Sequence, residues 1–145
     1  MCNSPSRRAK WGLLTILLVL TSQLSADLLE RIDTIIPALI DVESAGQLNV
    51  IGDNGKAWGQ LQIWEIVVDD VNRIYKTNYK HEVALTYYGS IEICLLYLHY
   101  WGNHYEKKTG KEASYEVLAK IWNGGPTGYK KDATVEYWKR VKPLL

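Results

Sequence analysis

The sequence predicts a mainly α-helical domain of the α+β class, with a small β-hairpin or flap between its helices. Two patterns support this prediction. Apolar residues recur at helical spacing through most of the chain, and a strong turn signal, Asp53-Asn54-Gly55, interrupts short apolar stretches within residues 48–63. The 145 residues are 47% hydrophobic and carry a net charge of only +1, which suits one compact domain and excludes a disordered chain.

The first 26 residues are typical of a secretory signal peptide. Three basic residues precede an apolar run from Trp11 to Leu20, and a short polar stretch continues to Ala26. We expect cleavage after Ala26, which leaves residues 27–145 as one mature, monomeric domain in the periplasm, the cell envelope or the extracellular space. The alternative is an uncleaved N-terminal anchor, and membrane association is expected only through such an anchor.

The segment before the flap is apolar at helical spacing, but it contains Pro37. Because proline cannot donate a backbone hydrogen bond and is tolerated in a first helical turn, we expect a helix break near Asp33–Thr34. A second helix then has Pro37 in its first turn and ends near Ser44, where Ala45-Gly46 follows.

Four more helices are predicted, of which three lie at residues 64–75, 87–105 and 114–123. The last helix begins at Asp132 or Thr134, and its inward-facing residues are Val135, Trp138 and Val141. Residues 87–105 contain only one acidic or basic residue, Glu92, which indicates a central helix surrounded by the others. Ser114 is a favourable N-terminal cap, and Gly124-Gly125-Pro126 ends the helix that Ser114 begins.

The charge pattern excludes one class of partner and leaves another open. Residues 27–106 are mainly acidic and residues 107–145 mainly basic, so the last third either attracts an anionic polymer such as a cell wall or forms ordinary solvated helix faces. Asp69-Asp70 is most simply a solvated face. Nucleic acid is not an expected partner, because no dense basic stripe occurs.

Neither a metal nor another cofactor is expected. The three histidines lack metal-ligand spacing, and Cys94 lies among apolar residues, where a buried and inert thiol is expected. Trp58 and Trp64 are equally suited to stacking on sugar rings and to a place in the core.

Glu43 is the most informative side chain. It follows Ile36, Leu39 and Ile40 at positions i, i+3, i+4 and i+7, so a carboxylate lies on the apolar stripe of its helix. Burial there raises a carboxyl pKa and makes a proton donor near neutral pH. The alternative is a carboxylate that turns into solvent at the helix end, and periodicity alone does not decide between the two.

Three segments in order provide a family resemblance. They are Glu43-Ser44-Ala45-Gly46, the stretch GKAWGQLQI at residues 55–63, and IWNGG at residues 121–125. Together they resemble the goose-type lysozyme and lytic transglycosylase families of the lysozyme superfamily, over about residues 36–141. The sequence departs from the family pattern at Lys56, an extra residue, at Gln60-Leu61, where Leu-Met is usual, and at Trp122, which replaces a tyrosine.

The resemblance implies a lysozyme-like fold and a glycan cleft. It identifies Glu43 as the catalytic acid, and it implies that the substrate site is built from Ser44, Gly59, Gln60, Gln62, Trp122, Asn123 and Tyr137. Asp53, ten residues after Glu43 on the predicted flap, is either the second carboxylate of a hydrolase or part of a plain turn.

The expected function is cleavage of the β-1,4 bond between N-acetylmuramic acid and N-acetylglucosamine in peptidoglycan, whose glycan strands are the expected partner. A lytic transglycosylase that uses Glu43 alone, as acid and then base, and leaves 1,6-anhydro ends is the leading hypothesis. The alternatives are a hydrolytic lysozyme that uses Glu43 and Asp53, and a non-catalytic glycan-binding domain.

Overall fold

The computed structural model describes the backbone from residue 7 and the side chains from residue 26, both to residue 145. The side chains of the predicted signal peptide therefore lie outside the described residues up to residue 25, and its cleavage remains a prediction. The described residues form five α-helices and three short strands in this order: α1 (Arg7–Ser44), β1 (Ile51–Gly52), β2 (Ala57–Trp58), β3 (Ile63–Trp64), α2 (Glu65–Tyr75), α3 (Tyr87–Thr109), α4 (Tyr115–Gly124) and α5 (Val135–Val141). The predicted α+β class is confirmed.

Membrane association was predicted only through an uncleaved N-terminus. Within the described part of the chain, no helix combines the length and the apolar character that crossing a membrane requires.

Helix α1 is continuous, so the predicted break near Asp33–Thr34 is wrong. Pro37 lies inside the helix on its exposed side, while Ile36 and Leu39 are buried on the other side. The proline removes one backbone hydrogen bond, but the apolar stripe of α1 packs into the core from Leu28 to Leu39. Tertiary packing therefore outweighs the local penalty, and the helix still ends at Ser44, as predicted.

The predicted flap is a three-stranded antiparallel sheet in the order β1-β2-β3. Trp58 pairs with Ile51 on one side and with Ile63 on the other. The turn between β1 and β2 has positive φ angles at Asp53, Asn54 and Gly55, a conformation that Asn, Asp and Gly tolerate best.

Gly59 docks the flap onto the helical part. Its φ is +75°, its N–H donates to Val50 O at 2.8 Å, and an added Cβ would lie 1.8 Å from Ala84 O. Ala84 belongs to a short 3₁₀ turn, His81–Leu85. Only glycine allows this close approach of two backbones.

Helix α3 is central, as predicted. Its buried positions include Ile93, Cys94 and Leu98. A Cβ added at Gly102 would lie 3.1 Å from Leu28 of α1 and 3.3 Å from Leu118 of α4, so three helices meet closely at this glycine. Cys94 is a free thiol, and complete burial raises its pKa well above the usual value, which agrees with the predicted inert cysteine.

The last two helices follow their local signals. The Ser114 hydroxyl accepts from the Val117 N–H, and α4 ends at Gly124, followed by Gly125 with a φ of +81°. On α5 Val141 is buried and Trp138 packs against the core, but Tyr137 rather than Val135 is the other buried residue.

A part-buried ionic cluster joins α1 to the end of α3. Arg31 Nη2 lies 2.8 Å from Glu106 Oε1, and Arg31 Nε donates to Ala113 O at 3.1 Å. The same Glu106 oxygen accepts from the Ala113 N–H at 2.9 Å, and Glu112 contacts Arg31 at 3.2 Å. The Arg31 and Glu106 side chains are only 15% and 17% exposed, so each depends on the other for compensation of its charge.

We expect Arg31→Ala to lower the free energy of unfolding by about 3 kcal/mol, because Glu106 is left without its cation. The control is Arg73→Ala, which breaks an ion pair of similar length with Asp70 at an arginine that is 60% exposed. Exposed pairs contribute about 1 kcal/mol or less. Urea unfolding of both variants measures the difference, and equal losses would contradict the role of the cluster.

Candidate active site

A cleft of about 600 Å³ lies beside the C-terminal end of α1. The end of α1, the flap, α2, α3, the end of α4 and α5 all contribute to it. Its lining residues are Val42, Glu43, Asp53, Gln62, Ile63, Trp64, Ile66, Val67, Asp70, Tyr97, Trp122, Asn123, Gly125, Pro126 and Arg140.

Glu43 lies in the last turn of α1 and is partly buried at the cleft surface. The Tyr137 hydroxyl donates to Glu43 Oε1 at 2.7 Å. Burial raises the pKa of Glu43; the Tyr137 hydrogen bond, the Arg140 charge and the Trp122 indole oppose this rise, and the Asp53 charge adds to it. The result is a carboxyl that retains its proton to higher pH than an exposed glutamate and that faces an open cleft.

Tyr137 holds this carboxyl from the other end of the chain. The tyrosine is 3% exposed, and its own burial raises the pKa of its hydroxyl, so the hydroxyl stays protonated and remains a donor. The carboxyl of α1 is thus fixed by a residue of α5 that lies 94 positions later.

We expect Tyr137→Phe to raise the pKa of Glu43 further, because the hydrogen bond that this change removes stabilises the ionised carboxylate. Carbon-detected NMR titration of the glutamate carboxyls measures this pKa. The control is Tyr105→Phe, at a partly buried tyrosine that packs against Tyr129. A Glu43 pKa that stays the same or falls in Tyr137→Phe would contradict the assignment.

Four more of the residues implied by the resemblance line the cleft. Trp122 and Asn123 come from the end of α4, whereas Asp53 and Gln62 come from the flap. Gln62 Nε2 donates to Val50 O at 3.3 Å and to Gly59 O at 2.9 Å, so this amide also holds the flap together.

Ser44, Gly59, Gln60 and Tyr137 are not among the residues that line the cleft, so their place in the substrate site stays a prediction. Ser44 Oγ donates to Gln60 O at 2.8 Å. The Gln60 side chain is 2% exposed and donates to Tyr87 O at 3.0 Å and to Ser90 Oγ at 2.7 Å. Ser44 and Gln60 lie behind the site and tie the end of α1 and the flap to α3.

The two tryptophans of the flap have different surroundings. Trp64 is 41% exposed in the cleft, with Lys56 Nζ 5.6 Å from the centre of its ring. Trp58 lies outside the cleft, stacks on His81 with ring centres 4.1 Å apart, and donates from Nε1 to Gly55 O at 2.7 Å. Of these two tryptophans, only Trp64 lines the cleft, where its ring can stack on a ring-shaped ligand.

Sequence reasoning missed two charged residues of the cleft. Asp70, expected on a solvated face, lines the cleft and is paired with Arg73 at 2.8 Å. It follows Ile66 by four positions on α2, a spacing that places both on one face. Arg140, the second missed residue, follows Tyr137 by three positions on α5, and this spacing places both side chains on the same side of the helix.

Within the described residues, no group of three His, Cys, Asp or Glu side chains comes together as a metal site. The polar and aromatic groups that line the cleft are carboxyl groups, aromatic rings, amides and one guanidinium.

Two comparisons with known proteins name lysozymes. A segment is 47% identical over 45 residues to invertebrate-type lysozyme 6 of Caenorhabditis elegans, and it covers 29% of this chain and about a third, 32%, of that protein. A chain in the crystal structure of Aeromonas hydrophila PliI in complex with Meretrix lusoria lysozyme superposes with a TM-score of 0.61 and 26% identity, over 76% of this chain and 87% of that one. The fold is lysozyme-related. No family model matches the chain.

Proposed function

We propose that this protein is a muramidase, which cleaves the β-1,4 bond between N-acetylmuramic acid and N-acetylglucosamine in peptidoglycan. The observation that carries the proposal is Glu43, a part-buried carboxyl with a raised pKa that Tyr137 holds at the surface of an open cleft. The lysozyme-related fold supports the same activity. We further propose that the protein is exported, since its substrate lies in the cell envelope.

Glu43 acts as the general acid. Its proton passes to the glycosidic oxygen as the bond to the anomeric carbon breaks, and positive charge develops on the sugar ring. The cleft must therefore keep Glu43 protonated before the reaction and stabilise positive charge during it. Burial keeps Glu43 protonated, and a nearby carboxylate would stabilise the positive charge.

Hydrolysis is the first candidate for the second half of the reaction. Asp53 lines the same cleft as Glu43, and lysozymes are named in both comparisons. The Asp53 carboxylate then stabilises the positive charge or activates the water that adds to the anomeric carbon. The product is a reducing end, and Glu43 regains its proton from this water.

The transglycosylase reaction is the second candidate, and the surroundings of Asp53 favour it. This aspartate is exposed, and its carboxylate accepts no hydrogen bond from the part of the chain that the structure describes. The transglycosylase reaction needs no second carboxylate, because the nucleophile is the C6 hydroxyl of the same N-acetylmuramic acid whose anomeric carbon is attacked. Glu43, now ionised, takes the hydroxyl proton, and a 1,6-anhydro end results.

Mass spectrometry of peptidoglycan digested by the purified mature chain separates these outcomes. We expect reducing ends; 1,6-anhydro ends would establish the transglycosylase instead. No release of fragments by the parent chain would contradict a muramidase and favour a glycan-binding domain. Digestion with the Glu43→Gln variant is the control for a contaminating enzyme.

A further inference from the structure

We propose that Arg140 determines specificity by binding a carboxylate on the lactyl–peptide arm of muramic acid. This inference rests on the proposed glycan cleft, but it does not require that the bound glycan is cleaved. Arg140 would thereby favour peptidoglycan over a neutral polymer of N-acetylglucosamine.

The first argument is the position of the guanidinium. Arg140 is the only Lys or Arg among the residues that line the cleft. Its Cζ lies 5.4 Å from the centre of the Tyr137 ring, a cation–π contact that orients the side chain. Because Tyr137 also donates to Glu43, the guanidinium stands beside the residue that holds the proposed acid.

The second argument is that this cation is in no ion pair with a carboxylate of the described residues. Within residues 26–145, no carboxylate lies within 4.0 Å of Arg140. The sequence before Asp27 contains no acidic residue, so the preceding segment offers no carboxylate side chain either. The nearby Glu43 carboxyl is held by Tyr137, while Asp70 is paired with Arg73. Arg140 is therefore available to an anion from outside.

The third argument is the chemistry of the substrate. N-acetylmuramic acid differs from N-acetylglucosamine by a lactyl ether that ends in a carboxyl group, either free or extended by a peptide with its own carboxylates. A planar guanidinium binds a carboxylate with two parallel hydrogen bonds, more strongly than a neutral donor does. A polymer of N-acetylglucosamine offers no such group.

The neighbouring Lys139 provides a matched control. It carries the same charge on the same helix, but it is paired with Glu136 at 2.7 Å, is 64% exposed and does not line the cleft. Lys139→Gln and Arg140→Gln therefore change the net charge equally, and only the second removes a cation from the cleft.

Binding is measured by calorimetry on Glu43→Gln protein, so that no probe is cleaved. The probes are a GlcNAc–MurNAc tetrasaccharide with free lactyl carboxylates, the same tetrasaccharide with peptide stems, and neutral chitotetraose. We expect Arg140→Gln to lower the preference for a muramyl probe over chitotetraose at least about tenfold, the effect of losing a charged hydrogen bond. We expect Arg140→Lys to keep part of the preference, and Lys139→Gln to change it by less than about twofold. Added salt weakens the preference of the protein that retains Arg140.

The probes also identify which carboxylate Arg140 binds, and they distinguish failure of this inference from failure of the proposed function. A loss on the peptide-free tetrasaccharide assigns the lactyl carboxylate, and a loss on the peptide-bearing one assigns a peptide carboxylate. Equal losses on all three probes, or no loss on either muramyl probe, would overturn the role of Arg140 and leave the glycan cleft intact. If Glu43→Gln protein binds no probe, the proposed function itself fails.

Discussion

Replacing Glu43 by Gln removes glycan cleavage, with an expected loss of about 10²–10⁴-fold or more in kcat. The amide keeps the size of the side chain and can still accept from the Tyr137 hydroxyl, but it has no proton to give to the glycosidic oxygen. Release of soluble fragments from purified peptidoglycan measures the activity of each protein.

Asp41→Asn is the matched control for this change. Asp41 lies two residues earlier on α1 and is exposed, so the same exchange of carboxylate for amide should alter kcat by less than about threefold. Activity of Glu43→Gln within threefold of the parent would refute Glu43 as the acid.

The stability of Glu43→Gln supplies an independent check, because the folded-state pKa of Glu43 is raised above its unfolded value. The protonated carboxyl is compatible with burial, so the folded state loses stability as the pH rises through the raised pKa. The amide carries no charge at any pH. We therefore expect urea unfolding to show the variant gaining stability relative to the parent between pH 4 and pH 8. A constant difference would contradict the raised pKa.

Replacing Asp53 by Asn separates the two reactions. In a hydrolase this change removes the charge that stabilises the oxocarbenium-like state, or the base that activates water, and we expect a loss on the order of 10³-fold in kcat. Asp53 has a φ of +47°, which Asn adopts readily, so the turn of the flap is preserved and the loss reports on chemistry.

Asp69→Asn, at an exposed aspartate on α2, controls for the general effect of losing one negative charge. A loss of less than about tenfold in Asp53→Asn, together with 1,6-anhydro products from the parent, would replace the hydrolase with the transglycosylase. In that case the substrate's own hydroxyl is the nucleophile, and one carboxyl is sufficient.

The features that the sequence predicted well are those with local causes. The i, i+3, i+4, i+7 stripe placed Glu43 beside buried Ile36 and Leu39, and Ser114 capped its helix through its own hydroxyl. The break at Asp33–Thr34 failed for the opposite reason. Pro37 carries a local penalty, while the packing that offsets it comes from helices distant in sequence.

The composition of the cleft wall was less predictable. Gln60 and Gln62 are two residues apart in one motif, yet one amide is buried against α3 and the other lines the cleft. The positive φ angles at Gly59 and Gln62 turn the chain between β2 and β3, so the alternation of a regular strand does not apply. Arg140 follows Tyr137 by three positions, but this spacing alone does not distinguish a cation beside a cleft from a cation on a solvated helix face.

The buried thiol of Cys94 takes no part in holding the helices of this domain together, because it is a free cysteine. The apolar core joins the helices instead, and the Arg31 cluster ties α1 to the end of α3. No oxidant is required to close these contacts, and no reductant opens them. The contacts that hold the described domain together are therefore independent of the redox state of its surroundings.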